Sequence, residues 1–187
     1  MEKEQYKVGI IVGSLRKDSL SLKMANCIRN SSSSNLNLRL IAIDQLPLYN
    51  EDLETDMPPE SWQLFRAQVR QVDAILFVTP EYNRSVPAVL KNAIDVGSAP
   101  HGQNVFENKP AGIISLSPGK MGAFGANHHL RQSLVFLNMP VMQQPEAYIA
   151  NSQELFDANG MIKVEKTSTF IVKFMLSFES WIKRCGL

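Results

Sequence analysis

The sequence predicts a single doubly wound, three-layer α/β domain covering residues 1–187. Three observations carry that expectation. Short apolar runs, rich in β-branched residues, alternate with segments whose apolar residues fall every three or four positions. Apart from the second, the runs are nearly continuously apolar rather than alternating, which suits strands buried on both faces of a parallel sheet. The length, 187 residues, suits one compact domain with a sizeable core.

The elements follow in order. Residues 6–12, YKVGIIV, form the first strand, and a helix runs from about 19 to 30 with Leu20, Met24 and Ile28 every four residues. SSSSN, residues 31–35, is a loop. Residues 36–43 alternate Leu36, Leu38, Leu40 and Ala42 with polar residues, and form the second strand. Residues 46–59 hold three prolines and many acids, and read as a long loop. Pro58-Pro59-Glu60 opens a helix whose apolar face is Trp62, Phe65, Val69 and Val72.

The third strand is 73–79, DAILFVT, and a helix over 87–96 carries Leu90 and Ile94. The fourth strand is 109–117, followed by a helix over 129–138 with Leu130, Leu134 and Leu137. Residues 140–149 form a less regular fifth strand, and 169–183 the last helix, with Ile171, Phe174, Met175, Phe178 and Ile182 on one face. Five such β-α units with right-handed crossovers give a flavodoxin-like sandwich, strand order 2-1-3-4-5. Ligands of such sheets lie beyond the carboxyl ends of the strands. That selects three loops: 14–21, 80–85 and 117–125.

Charge and cysteines exclude several functions. The formal net charge is +1, with 44% hydrophobic and 20% charged residues, so nothing global invites nucleic acid or an anionic membrane. Any anion site must be local. Cys27 and Cys185 sit far apart, with no CxxC or Cys/His cluster; a reduced, cytoplasmic location is the expectation and one disulfide the alternative. MEKEQYK at the start lacks the apolar region of a signal peptide, and no apolar run is long enough to span a bilayer.

The first loop, VGSLRKDSLS, leads from a strand into a helix N-terminus, where free amides and the helix dipole favour an anion. Ser14, Ser19 and Ser21 bring hydroxyl donors, and Arg16 forks onto two phosphate oxygens. Neither GxxxxGK[ST] nor GxGxxG is present, so a terminal monophosphate fits better than an NTP or a dinucleotide. The plain alternative is a Ser-capped helix beside a solvated Arg.

The second loop, TPEYNRSVPAVLKNAID, places Pro80, Glu81, Tyr82, Asn83 and Ser85 between a strand end and a helix opened by Pro87. Its backbone groups suit the polar edge of a planar heterocycle, with Tyr82 covering a face or rim. The alternative is an ordinary turn in which Glu81 caps and Tyr82 packs; Lys91, Asn92 and Asp95 read as helix surface. The third loop, SPGKMGAFGA, has three glycines, which let backbone approach a flat ligand; Ser117 and the amides near Gly119 face it. His128 and His129 are adjacent, diverge on a helix and lack a carboxylate at ligand spacing, so no metal is expected. There is no GxSxG elbow.

GSLRKDSLSLKMA and PEYNRSVPAVLKNAID, with HLRQSLVFLNMPVM and Pro145-Glu146 beyond them, resemble the signature segments of the NADPH-dependent FMN reductase family, which includes bacterial quinone, azo-dye and chromate reductases. The resemblance implies non-covalent FMN, NADPH or NADH as co-substrate, a small-molecule electron acceptor, and a homodimer or homotetramer. It puts Ser14, Arg16 and Ser19 at the phosphate. Pro80, Glu81, Tyr82 and Asn83 fall along the isoalloxazine and ribityl parts, and Ser117 and Gly119 near the pyrimidine end. Two departures are Ser21, where the family usually has Asn, and Val96, where the pattern often continues Asp-Trp.

The implied cycle is ping-pong, with the flavin carrying the chemistry and no classical catalytic side chain. A non-enzymatic FMN electron carrier or flavin-dependent regulator is the other class. Carriers are usually strongly acidic, and this chain is near neutral.

Overall fold

A computed structural model describes residues 5–31 and 35–186. Five strands, β1 (Tyr6–Val12), β2 (Leu36–Ile41), β3 (Ala74–Thr79), β4 (Ala111–Leu116) and β5 (Ala147–Ile149), form one parallel sheet in the order β2-β1-β3-β4-β5. The helices are α1 (Leu20–Ser31), α2 (Glu60–Arg70), α3 (Ala88–Ser98), α4 (Phe124–Phe136) and α5 (Glu165–Arg184). Strand order and element order are those the sequence predicts.

The sheet is buried on both faces, and each face has its own core. α1 and α5 cover one with Met24, Ile28, Phe174 and Phe178. α2, α3 and α4 cover the other with Trp62, Phe65, Leu90, Ile94, Leu130 and Leu134, joined by Phe106 from the loop after α3. Each of these large side chains removes about 1.5–3 kcal/mol worth of apolar surface from water.

Several boundaries differ from expectation. The fifth strand shrinks to three residues, with one isolated bridge from Val141 to Ala111, because Pro140 and Pro145 lack the amides a ladder needs. α4 begins five residues before the expected His129, and α5 four before Thr169. β2 ends at Ile41, although Ile43 stays buried. Of the serine-rich loop, residues 32–34 lie outside the described residues; so do residues 1–4 of the N-terminal stretch. Among the described residues no helix is long and apolar enough to cross a membrane.

Candidate active site

β1, β3 and β4 end side by side. Val12 pairs with Val78, and Thr79 with Ser115. The three selected loops therefore leave the same edge of the sheet together.

In the first loop Ser19 is the N-cap of α1: its Oγ accepts the Leu22 amide at 3.1 Å, and its carbonyl accepts the Lys23 amide at 3.0 Å. Among the described residues the amides of Leu20 and Ser21 have no acceptor. Ser14 Oγ accepts the Arg16 amide at 3.4 Å. Arg16 is exposed and its guanidinium meets no partner among the described residues. Ser19 and Ser21 are buried, and Ser14 is half-buried. Amides without an acceptor among the described residues, a helix start and an exposed guanidinium all lie within residues 14–21, and these are the groups an anion site draws on.

The second loop is a two-residue hairpin. Tyr82 and Ser85 exchange both backbone bonds, at 3.1 and 3.0 Å, while Asn83 (φ 51°) and Arg84 (φ 63°) take left-handed conformations, as a type I′ turn demands. Asn tolerates that region; Arg does so rarely. The turn lifts Tyr82 to 46% exposure. Glu81 is tied down instead. Its Oε2 accepts the Ala126 amide of α4 at 3.0 Å, and Oε1 receives Arg84 Nη1 at 3.3 Å. Gly125 permits this approach, because a Cβ there would stand 2.7 Å from the Arg84 carbonyl oxygen and 2.9 Å from Glu81 Oε2. His129 Nδ1 meets Ser85 Oγ at 3.0 Å and completes the seam.

Glu81 thus caps a helix, but α4 rather than the helix its own loop enters. Asn92 also departs from expectation. It is not surface but 7% exposed: it accepts the Tyr49 amide at 2.8 Å and donates to the carbonyls of Leu46 and Pro47 at 3.2 and 3.0 Å. That clamps the long loop after β2, whose far end is held by a buried Arg66–Glu54 pair and a bond from Arg66 Nε to the Val96 carbonyl at 2.8 Å. Lys91 and Asp95 are the surface ion pair that helical spacing suggests.

In the third loop Ser117 is held on three sides. Its amide donates to the Ile149 carbonyl at 3.0 Å, its carbonyl accepts the Ser152 amide at 3.1 Å, and its Oγ donates to the Gly119 carbonyl at 3.2 Å. Gly119 remains exposed. Gly122, at φ 56°, lies so close to β5 that a Cβ would stand 2.5 Å from the Tyr148 carbonyl carbon. Its carbonyl accepts from buried Ser115 Oγ at 2.9 Å, and Ser115 in turn takes a bond from Asn127 Nδ2 at 3.2 Å. Arg131 Nε continues the chain to Asn127 Oδ1 at 3.0 Å. Ser115, Asn127 and Arg131 were not singled out from sequence, since only the fold brings them under the loop.

At the foot of α4, His128 Nε2 lies 2.9 Å from the Tyr148 hydroxyl. Burial, a bond to Glu146 and its negative charge push the Tyr148 hydroxyl up to about 12, against a small pull from Arg131. His128 and His129 therefore point to different partners. Among the described residues no three His, Cys, Asp or Glu side chains gather as a metal site.

A family profile described as NADPH-dependent FMN reductase matches residues 6–154. The chain belongs to the NADPH-dependent FMN reductase family. Within 178 aligned residues it is 53% identical to a quinone reductase of Pseudomonas putida, with 95% of both chains covered. A 2-hydroxy-1,4-benzoquinone reductase of a Burkholderia species is 40% identical over 177 residues, covering 95% of this chain and 96% of that one. The solved structure of FerB, a flavoenzyme NAD(P)H:(acceptor) oxidoreductase from Paracoccus denitrificans, matches with a TM-score of 0.91 at 41% identity, over 97% of this chain and 100% of that one. The first loop fits the family's cofactor. Its unpaired Leu20 and Ser21 amides and free Arg16 suit a dianionic monophosphate.

Proposed function

We propose that the protein is an NAD(P)H-dependent, FMN-containing oxidoreductase that reduces quinones and related small-molecule acceptors. The observation that supports it most directly is the anion cradle of the first loop, beside two further loops fixed at the same sheet edge. Bound FMN supplies the chemistry, accepting a hydride from NAD(P)H and passing reducing equivalents to the acceptor. The chain's part is to bind and orient. Ser14, Arg16, Ser19, Ser21 and the amides of Leu20 and Ser21 hold the phosphate. Pro80, Glu81, Tyr82, Asn83 and Ser85 line the ring and ribityl side; Glu81 acts there by fixing the loop, since its carboxylate is engaged with α4. Ser117 and Gly119 border the pyrimidine end, where backbone amides favour negative charge.

The same reading includes a homodimer or homotetramer. Leu134 and Leu137 of the α4 region are buried, but Val135 is 72% and Phe136 90% exposed. α5 does not cover them, because it packs on the opposite face of the sheet. A second copy is the natural cover for such a pair. Among the described residues neither Cys27 nor Cys185 is in a disulfide, which supports the cytoplasm as the working compartment.

The test is direct. Purified protein should show a flavin spectrum and oxidise NADPH or NADH with a benzoquinone, giving parallel double-reciprocal lines. Absence of bound flavin after reconstitution, or intersecting lines, would count against the reading. Light scattering should report at least twice the 20.9 kDa chain mass. A fully active monomer would remove the oligomer.

A further inference from the structure

A cleft of about 270 Å³ opens at the carboxyl ends of β1 and β2, on the side of the first loop away from β3. Ser14, Leu15, Arg16, Leu40, Ala42 and Asp44 define its chemistry. Leu15, Leu40 and Ala42 form an apolar wall. Leu15 is 54% exposed, and nothing in the fold calls for an apolar side chain there. Arg16 belongs both to this cleft and to the anion cradle. Asp44, on the segment after β2, is also exposed; its Oδ2 accepts from the neighbouring Gln45 side chain at 3.0 Å, and Oδ1 has no partner among the described residues.

We propose that this cleft is an adenylate subsite, a reading that rests on the first loop being the flavin-phosphate cradle. A flat base lies on the apolar wall, the ribose hydroxyls donate to the Asp44 carboxylate, and the phosphate faces Arg16. The volume lies just below the usual range for ligand pockets, about 300–1,000 Å³, so it suits one nucleoside rather than a whole dinucleotide. A quinone carries neither the anion nor the diol that Arg16 and Asp44 serve. Inorganic phosphate alone leaves the apolar wall unused. Two ligands bring an adenylate to this place: FAD, whose second half continues from the cradle, and NAD(P)H, whose second half arrives from outside.

Ala42 is exposed, so Ala42→Trp fills the cleft without entering the core; Asp44→Asn keeps shape and removes charge. Flavin-stripped protein is titrated with FMN and with FAD. FMN-loaded protein is assayed with NADH and with reduced nicotinamide mononucleotide, which lacks the adenylate. Ala42→Trp is expected to weaken FAD, or to raise the KM for NADH, by about tenfold, with FMN and the mononucleotide changing less than about twofold. Asp44→Asn is expected to follow the same pattern at about threefold. A response of FAD assigns the cleft to the flavin's own adenylate, and a response of NADH to the co-substrate's. If neither ligand responds to either variant, or if FMN weakens as much as FAD in Asp44→Asn, the subsite is overturned. Failure of FMN-loaded wild-type protein to oxidise either nicotinamide sinks the redox reading, while the FMN and FAD comparison still decides the subsite.

Discussion

Glu81 accepts the amide of Ala126 at 3.0 Å across 45 residues of chain, and it is the cap that α4 otherwise lacks. Ala123, at the N-cap position, has no side chain able to serve. The substitution Glu81→Ala should therefore cost about 1–2 kcal/mol of stability in flavin-free protein, and Glu81→Gln, which keeps an acceptor oxygen, should cost less. Urea unfolding measures both. An unchanged midpoint in Glu81→Ala would mean that the cap contributes nothing.

The Arg16 guanidinium meets no partner among the described residues, so its removal should be felt only by a ligand. Arg16→Ala is expected to weaken FMN by about 1.5–3 kcal/mol, the range for a hydrogen bond to a charged group. Riboflavin, which lacks the phosphate, should bind the parent weakly and respond little to the change. Equal losses for the two flavins would take Arg16 away from the phosphate.

Asn92 makes three hydrogen bonds to the loop after β2 while almost fully buried. Asn92→Ala should destabilise by about 2–3 kcal/mol, because it strands a backbone donor and two carbonyls. Hydrogen exchange gives a local check. The Tyr49 amide should lose protection in the variant, and its retention would show that the loop is held by other means.

Tyr148 keeps its proton more tightly in the folded protein than a free tyrosine does, with the hydroxyl near 12 rather than 10. A group raised in this way stabilises the fold fully below pH 10, and that contribution fades as pH climbs towards 12. Tyr148→Phe lacks it throughout. The stability difference between parent and variant should thus be constant below about pH 9 and shrink above pH 10. A difference that grows with alkalinity would contradict the assignment.

Most of the fold is legible because strands buried on both faces are nearly continuous apolar runs, and β1, β3 and β4 each carry no more than one charged or hydroxyl-bearing aliphatic side chain: Lys7, Thr79 and Ser115. β5 is not, since three residues flanked by proline-bearing segments carry little periodic signal. The start of α4 is hidden for a different reason. A local reading looks for a capping side chain just before the helix, whereas this one comes from Glu81 on another loop. Asn92 is misread for the same cause: its partners are backbone groups of residues 46, 47 and 49, whose proximity exists only after folding. The residues proposed as the cradle of the first loop all fall within residues 14–21, so a local reading can gather them.

The seam that binds Glu81, Gly125, Ser85 and His129 is made wholly of protein groups. So are the ties of Ser117 to residues 149 and 152. These two loops are therefore held in place before any cofactor arrives, and little ordering entropy is lost if one binds against them. Reloading of stripped protein becomes an encounter problem rather than a refolding one. Stopped-flow FMN association should rise linearly with flavin concentration, and a plateau would reveal a slow rearrangement instead. Flavin-free chains made faster than the cofactor is supplied would then wait as intact receivers, offering proteases little to cut.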